Sequence, residues 1–264
     1  MTRLDVGRLR NGLKQYCGGF AAAILFYTRL PVPSRWCFNF DQVARFAVCV
    51  GLLIGAVLSA ADVGLMQIGV PALTRSAVLT LAWVNITGGL HLDGVMDTAD
   101  GLAVLDPQRR LSVMADSRVG AFGAIAGCAV LLLKVAALSD IGRYRSGLLI
   151  VAAGWGRWGQ QLAIARYPYL KAQGKGAMHK QALPSVTATL PSLALLLCVH
   201  LLLLGRENWR LGLGSAVLFG AIAWAVGAWL NRRFGGHTGD TYGAVVEWTE
   251  AIALVTFTAI AAVA

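Results

Sequence analysis

GGLHLDGVMDTADG, residues 88–101, follows directly on an apolar run, and its reading decides the fold. Three aspartates, Asp93, Asp97 and Asp100, are spaced by four and three. At roughly 100° per residue on a helix they fall within an arc of about 60°, one above another. Three carboxylates on one face repel one another and are costly to bring near a membrane. Something positive must sit against them. Arg or Lys would serve, and so would Mg²⁺, a hard cation that takes carboxylate oxygens. The stretch reads as a metal-binding helix start at a membrane surface. The plainer alternative is a solvated acidic helix end.

The rest of the chain agrees with a membrane setting. Of its 264 residues 57% are hydrophobic and 14% charged, with a mean hydropathy of +0.63. Soluble domains carry about 25% charged residues. The formal net charge of +10 points to cytoplasmic loops and anionic headgroups. Nucleic acid is excluded as a partner, because the basic residues are scattered between apolar runs and not gathered in one block. The five cysteines form no CxxC pair, so neither a disulfide framework nor a zinc site is expected. The basic start MTRLDVGRLRNGLKQY is followed by a short apolar stretch without a small-residue cleavage site. No cleaved signal peptide is expected.

Residues 1–40 read as an amphipathic or half-inserted start, since GGFAAAILFY is too short to cross a bilayer core that needs about 20 residues. TRLPVP then breaks the helix. Seven spans follow, at about 44–68, 74–92, 120–139, 147–165, 188–204, 212–230 and 245–264. The expected fold is all-α, a polytopic membrane helix bundle of six to eight transmembrane helices. Nothing marks a second domain, so residues 1–264 read as one integral membrane domain. With the N-terminus in the cytoplasm, the inside segments 1–45, 93–119, 166–187 and 231–244 hold 16 of the 23 Lys and Arg residues, and the outside segments hold five. That bias supports the orientation. It also collects every polar, motif-like loop on one side.

Those loops carry the candidate chemistry. Asp116 reads either as a further metal ligand or as the N-cap of the third span, and Arg118 as a phosphate ligand or the partner of Asp116. Arg157, between two tryptophans inside a span, is a functional candidate or an arginine snorkelling to the interface. Tyr167, Lys171 and Lys175 form a phosphate clamp with glycines that admit close backbone approach, or else an ordinary positive-inside loop. Asp240 and Glu247 are seven apart and share a helix face, giving a second acidic helix start on the same side. Two such faces would hold Mg²⁺ between them, and helix N-termini would favour phosphate. His91 reads as a phosphate ligand, a base, or a satisfied buried histidine. His237 reads as incidental, and Lys134 as a group reaching the interface or paired with an acid.

LHLDGVMDTADG, MADSRVGAFG, PYLKAQGKG and GGHTGDTYGAVVE, with the FYTRLPVP opening, resemble the cobalamin synthase family, the adenosylcobinamide-GDP ribazoletransferases. The order and spacing match over roughly residues 20–250. The resemblance implies a multi-pass enzyme of late vitamin B12 assembly in the inner membrane, with its active site on the cytoplasmic side. It implies transfer of the cobinamide phosphate from adenosylcobinamide-GDP to α-ribazole or α-ribazole 5′-phosphate, with GMP leaving and Mg²⁺ required. Asp93, Asp97, Asp100, Asp116, Asp240 and Glu247 carry over as the acidic, metal-binding set, and Arg118, Arg157 and Lys171 as substrate-binding residues. From the residues themselves, His91 is added to the substrate ligands, and Asp97 or Asp100 is expected to be the catalytic base. Partners would be the two substrates and membrane lipid, with room for a homo-oligomer. Two rival readings are a CDP-alcohol-type phosphotransferase, on the likeness of the Asp97–Gly101 element, and a cation-coupled transporter.

Overall fold

A computed structural model describes the backbone of residues 3–171 and 175–261 and the side chains of residues 15–171 and 178–261. The helices are α1 (Arg3–Tyr27), α2 (Ala47–Gln67), α3 (Ala72–Ile86), α4 (Leu90–Ala103), α5 (Arg110–Val113), α6 (Ala121–Asp140), α7 (Arg145–Arg166), α8 (Lys175–Ala182), α9 (Leu190–Leu204), α10 (Trp209–Phe234) and α11 (Gly239–Ala261). Short 3₁₀ turns at Phe40–Phe46 and Val186–Thr189 lead into α2 and α9. Among the described residues there is no strand, only one bridge between Tyr169 and His237. All five cysteines are free.

A helix answers each of the seven expected spans, but among the described residues five segments are long and apolar enough to cross a membrane: Phe40–Gln67, Ala121–Asp140, Val186–Leu204, Trp209–Phe234 and Gly239–Ala261. The two others differ for separate reasons. α3 stops at Ile86, short of the expected 92, because Gly88 and Gly89 take positive φ values of 66° and 75°, a conformation that costs a side-chain-bearing residue dearly. The turn redirects the chain, and the expected acidic helix starts afresh as α4 (Leu90–Ala103) rather than continuing the span. α7 carries Arg157, Gln160 and Gln161, yet everything from Val151 to Ala165 is buried. It lies inside a sleeve of α2, α9, α10 and α11 and meets protein where a lipid-facing helix would meet acyl chains. Its composition is therefore freed from the hydropathy that lipid demands.

α2 and α7 pack almost backbone to backbone. A Cβ at Gly55 would lie 2.4 Å from the Ile150 Cα, so only glycine allows this crossing. Between membrane helices such close approach supplies the dispersion energy that a hydrophobic gradient cannot.

Loops assigned to the same side by charge meet one another. At one end Arg45 Nε donates to the Ala182 carbonyl at 2.9 Å, Arg110 Nη1 to the Arg233 carbonyl at 2.7 Å, and Leu170 N to the His237 carbonyl at 2.8 Å. At the other end Arg143 pairs with Glu207, and Asp62 takes both Arg75 and Arg145 at 2.9 Å. The inside and outside groups of the sequence reading are thus the two ends of the bundle.

Candidate active site

The site is built on the crossing of α4 and α11. A Cβ at Gly94 would sit 2.5 Å from the Asp240 carbonyl oxygen, and one at Gly243 would sit 3.1 Å from the His91 Cα. These two contacts set the helices antiparallel and in near contact. They bring Asp93 and Asp97 of α4 to Asp240 in the first turn of α11. Asp93 is exposed, while Asp97 and Asp240 are half-buried. Burial, then the charges of Asp93, Asp240 and Asp100, push the Asp97 carboxyl up to about 6, with Lys171 pulling the other way.

A pinned loop delivers the counter-charge. His237 N donates to the Pro168 carbonyl at 2.9 Å and its own carbonyl accepts from Leu170 N. The imidazole is fully buried, stacks on Tyr242 at 5.3 Å, and is pushed by burial down to about 4, so it is neutral at pH 7. This residue, which the sequence left without a role, locks the 168–171 segment against the start of α11. Lys171 Nζ then lies 3.2 Å from Asp240 Oδ2, and Thr238 Oγ1 donates to the same oxygen at 3.2 Å. Lys175, read as part of the same clamp, lies outside the described side chains.

Three of the expected metal ligands are placed elsewhere. Asp100 accepts Gly120 N at 2.7 Å and Gly123 N at 2.8 Å. It therefore caps α6 from a neighbouring helix, satisfying N–H groups that the first turn cannot use itself. Asp116 does not cap that helix. It turns to Arg118, whose Nη2 lies 2.7 Å from Oδ2 at the protein surface, and this pairing holds the carboxyl down to about 2. Glu247 lies two turns into α11, about 10 Å deeper than Asp240 at 1.5 Å per residue. There Lys134 Nζ reaches both Glu247 and Glu250 at 2.6 Å, with all three side chains buried. Among the expected substrate ligands only Lys171 stands at the acidic cluster. Arg118 is exposed and paired. His91 and Arg157 are buried below the cluster, where Arg157 Nη1 donates to His91 Nε2 at 2.9 Å. The guanidinium also covers the Tyr27 ring at 4.5 Å, and the Tyr27 hydroxyl lies 3.2 Å from His179 Nδ1.

Sequence reasoning gave no role to Tyr27, and treated Glu250 as a mere neighbour of Glu247. The signal was present for Glu250: two glutamates three residues apart in one apolar segment, and a lone lysine in another. Intramembrane charges of opposite sign pair.

Among the described residues, no group of three or more Asp, Glu, His or Cys side chains closes around a metal ion. The donor set still fits Mg²⁺, which dehydrates reluctantly and is usually held by one or two carboxylates plus water and substrate phosphates. Asp93, Asp97 and Asp240 offer open carboxylate oxygens whose mutual repulsion a cation would relieve.

Residues 19–258 match the family described as cobalamin-5-phosphate synthase. The chain belongs to that family. A Trichormus variabilis protein is 55% identical over 90% of this chain and 95% of its own length. One from Synechocystis sp. is 51% identical over 89% and 92%, and one from Thermosynechococcus vestitus 48% over 89% and 94%. All three are named adenosylcobinamide-GDP ribazoletransferase. No solved structure matches the chain. Neither the phosphotransferase of CDP-alcohol type nor the transporter finds support in these relatives.

Proposed function

We propose that the chain transfers the cobinamide phosphate of adenosylcobinamide-GDP to a ribose hydroxyl of α-ribazole or α-ribazole 5′-phosphate, releasing GMP. The family match over nearly the whole chain carries the reading. The site supports it, because three open carboxylates beside a lysine suit a diphosphate and its counter-ion. Mg²⁺ held by Asp93, Asp97 and Asp240 would neutralise diphosphate charge and the charge developing on the leaving group. Lys171 holds the outer phosphate oxygens as a point charge. Asp97 takes the proton of the attacking hydroxyl: the new O–P bond forms as the bond to GMP breaks, and the proton stays on the carboxyl. A carboxylate oxygen that the cation leaves free suits that task. Asp97 is preferred to Asp100 as the base because two backbone N–H groups already hold the Asp100 carboxylate.

The site faces the cytoplasm of the inner membrane, on the argument of the basic loops. A GMP-release assay in detergent tests the function, using adenosylcobinamide-GDP with and without α-ribazole and Mg²⁺. Release that needs both is expected. Release independent of α-ribazole, or none at all, overturns the reading.

A further inference from the structure

A groove of about 420 Å³ runs between α4, α6, α10 and α11, within the 300–1,000 Å³ typical of small-molecule sites. Trp229 and Trp248 wall it, with Leu102, Leu230 and Ala225, and Thr98 is the one lining residue with a hydroxyl. Val95, Thr98 and Leu102 lie on the face of α4 turned away from Asp93, Asp97 and Asp100. The groove and the acids therefore lie on opposite faces of α4.

Thr98 is 2% exposed, and its Oγ1 has no hydrogen-bond partner. Thr28 and Ser76 donate to the carbonyl four residues back, whereas Thr80 and Thr249, like Thr98, are buried without a partner. Of these three only Thr98 lines the groove, where an acceptor on a bound molecule would give it a partner. The groove's edge is cationic. Arg233 covers the exposed Trp229 ring at 5.6 Å, and Arg110 Nη1 bonds the Arg233 carbonyl. Arg109 and Arg232 stand next in sequence to these two. Among the described residues none of the four is in an ion pair.

We propose that this groove binds an anionic phospholipid, with one acyl chain against Trp229 and Trp248, an ester oxygen on Thr98, and the phosphate on Arg233. The charge of the edge selects the headgroup, and the apolar wall selects the chain. Occupancy supports α4 from behind, opposite the acidic face.

Thermal unfolding of the delipidated protein in detergent tests this without reference to turnover. Dioctanoyl phosphatidylglycerol, dioctanoyl phosphatidylcholine and inorganic phosphate are titrated in parallel. Phosphatidylglycerol is expected to raise the Tm saturably, and the other two to leave it nearly unchanged. Arg233→Gln, on an exposed side chain, weakens the apparent affinity about fivefold, as loss of one basic residue at a lipid surface does. Ala225→Phe fills the groove from its exposed edge and removes the shift. An equal shift with phosphatidylcholine overturns the charge selection, and an equal shift with phosphate overturns the lipid. A phosphatidylglycerol titration unmoved by Arg233→Gln or Ala225→Phe overturns the location.

Discussion

Asp97 is half-buried within the field of Asp93, Asp240 and Asp100. Its carboxyl is pushed from an ordinary value near 3.8 up to about 6, so the folded protein binds more protons than the unfolded chain between those values. By linkage its contribution to stability is favourable below about 4 and is lost as pH rises through about 6. Asp97→Asn is accordingly expected to raise the Tm at pH 7.5 in EDTA while lowering kcat about 10²- to 10⁴-fold, the usual span of a general base. A fall in Tm, or turnover near that of the parent, contradicts the assignment. Protons and Mg²⁺ compete for the same carboxylate, so the Mg²⁺ concentration for half-maximal activity should climb as pH falls below about 6. The three α4 aspartates were legible from spacing alone, and the lysine beside Asp240 from the basic loop. Other roles were hidden because they depend on distant chain. Asp100 meets N–H groups twenty residues onward, and Glu247, though on the face of Asp240, is separated from it by depth that a helical wheel does not show.

The elements matter through their distances of approach. Gly94 lets α4 lie against the Asp240 backbone, and a methyl there would come 2.5 Å from the carbonyl oxygen. Gly94→Ala must part the two helices and with them the carboxylates. An activity loss of about 10²-fold, as for a misplacement near 1 Å, is expected with the protein still inserted. Gly64→Ala, where a Cβ meets nothing within 4 Å, serves as the silent control. Deeper along α11, Lys134 of α6 pairs with two buried glutamates. Lys134→Met strands both, and denaturation in detergent should show a loss of about 3–5 kcal/mol. Most of it should return when Glu247→Gln and Glu250→Gln are added. Hydropathy located the long helices well and the end of α3 badly. Leu90 and Leu92 continue the apolar pattern past Ile86, while the two glycines that end the helix register only as a weak signal. It placed α7 correctly but could not show that this helix is shielded from lipid on all sides, since that depends on four partners.

At the scale of the whole molecule, charge fixes direction. Lys and Arg collect in loops that the fold gathers at one end, and that end holds Asp93, Asp97, Asp240 and Lys171. The far end, with Arg143, Glu207 and the buried Asp62, holds few basic residues. Because basic loops tend to stay in the cytoplasm, the proposed function expects the site on that side. There a large polar nucleotide ester present in the cytoplasm would reach the carboxylates without crossing the bilayer. Single cysteines in an otherwise cysteine-free chain read this out. Arg118 and Arg206 are suitable positions, one in each set of loops. A membrane-impermeant maleimide applied to spheroplasts is expected to label Arg206→Cys and to spare Arg118→Cys. Inverted vesicles should show the opposite pattern. Labelling of Arg118→Cys from the periplasmic side would put the carboxylates on the face where no cytoplasmic donor could arrive, and the proposed reaction would lose its substrate.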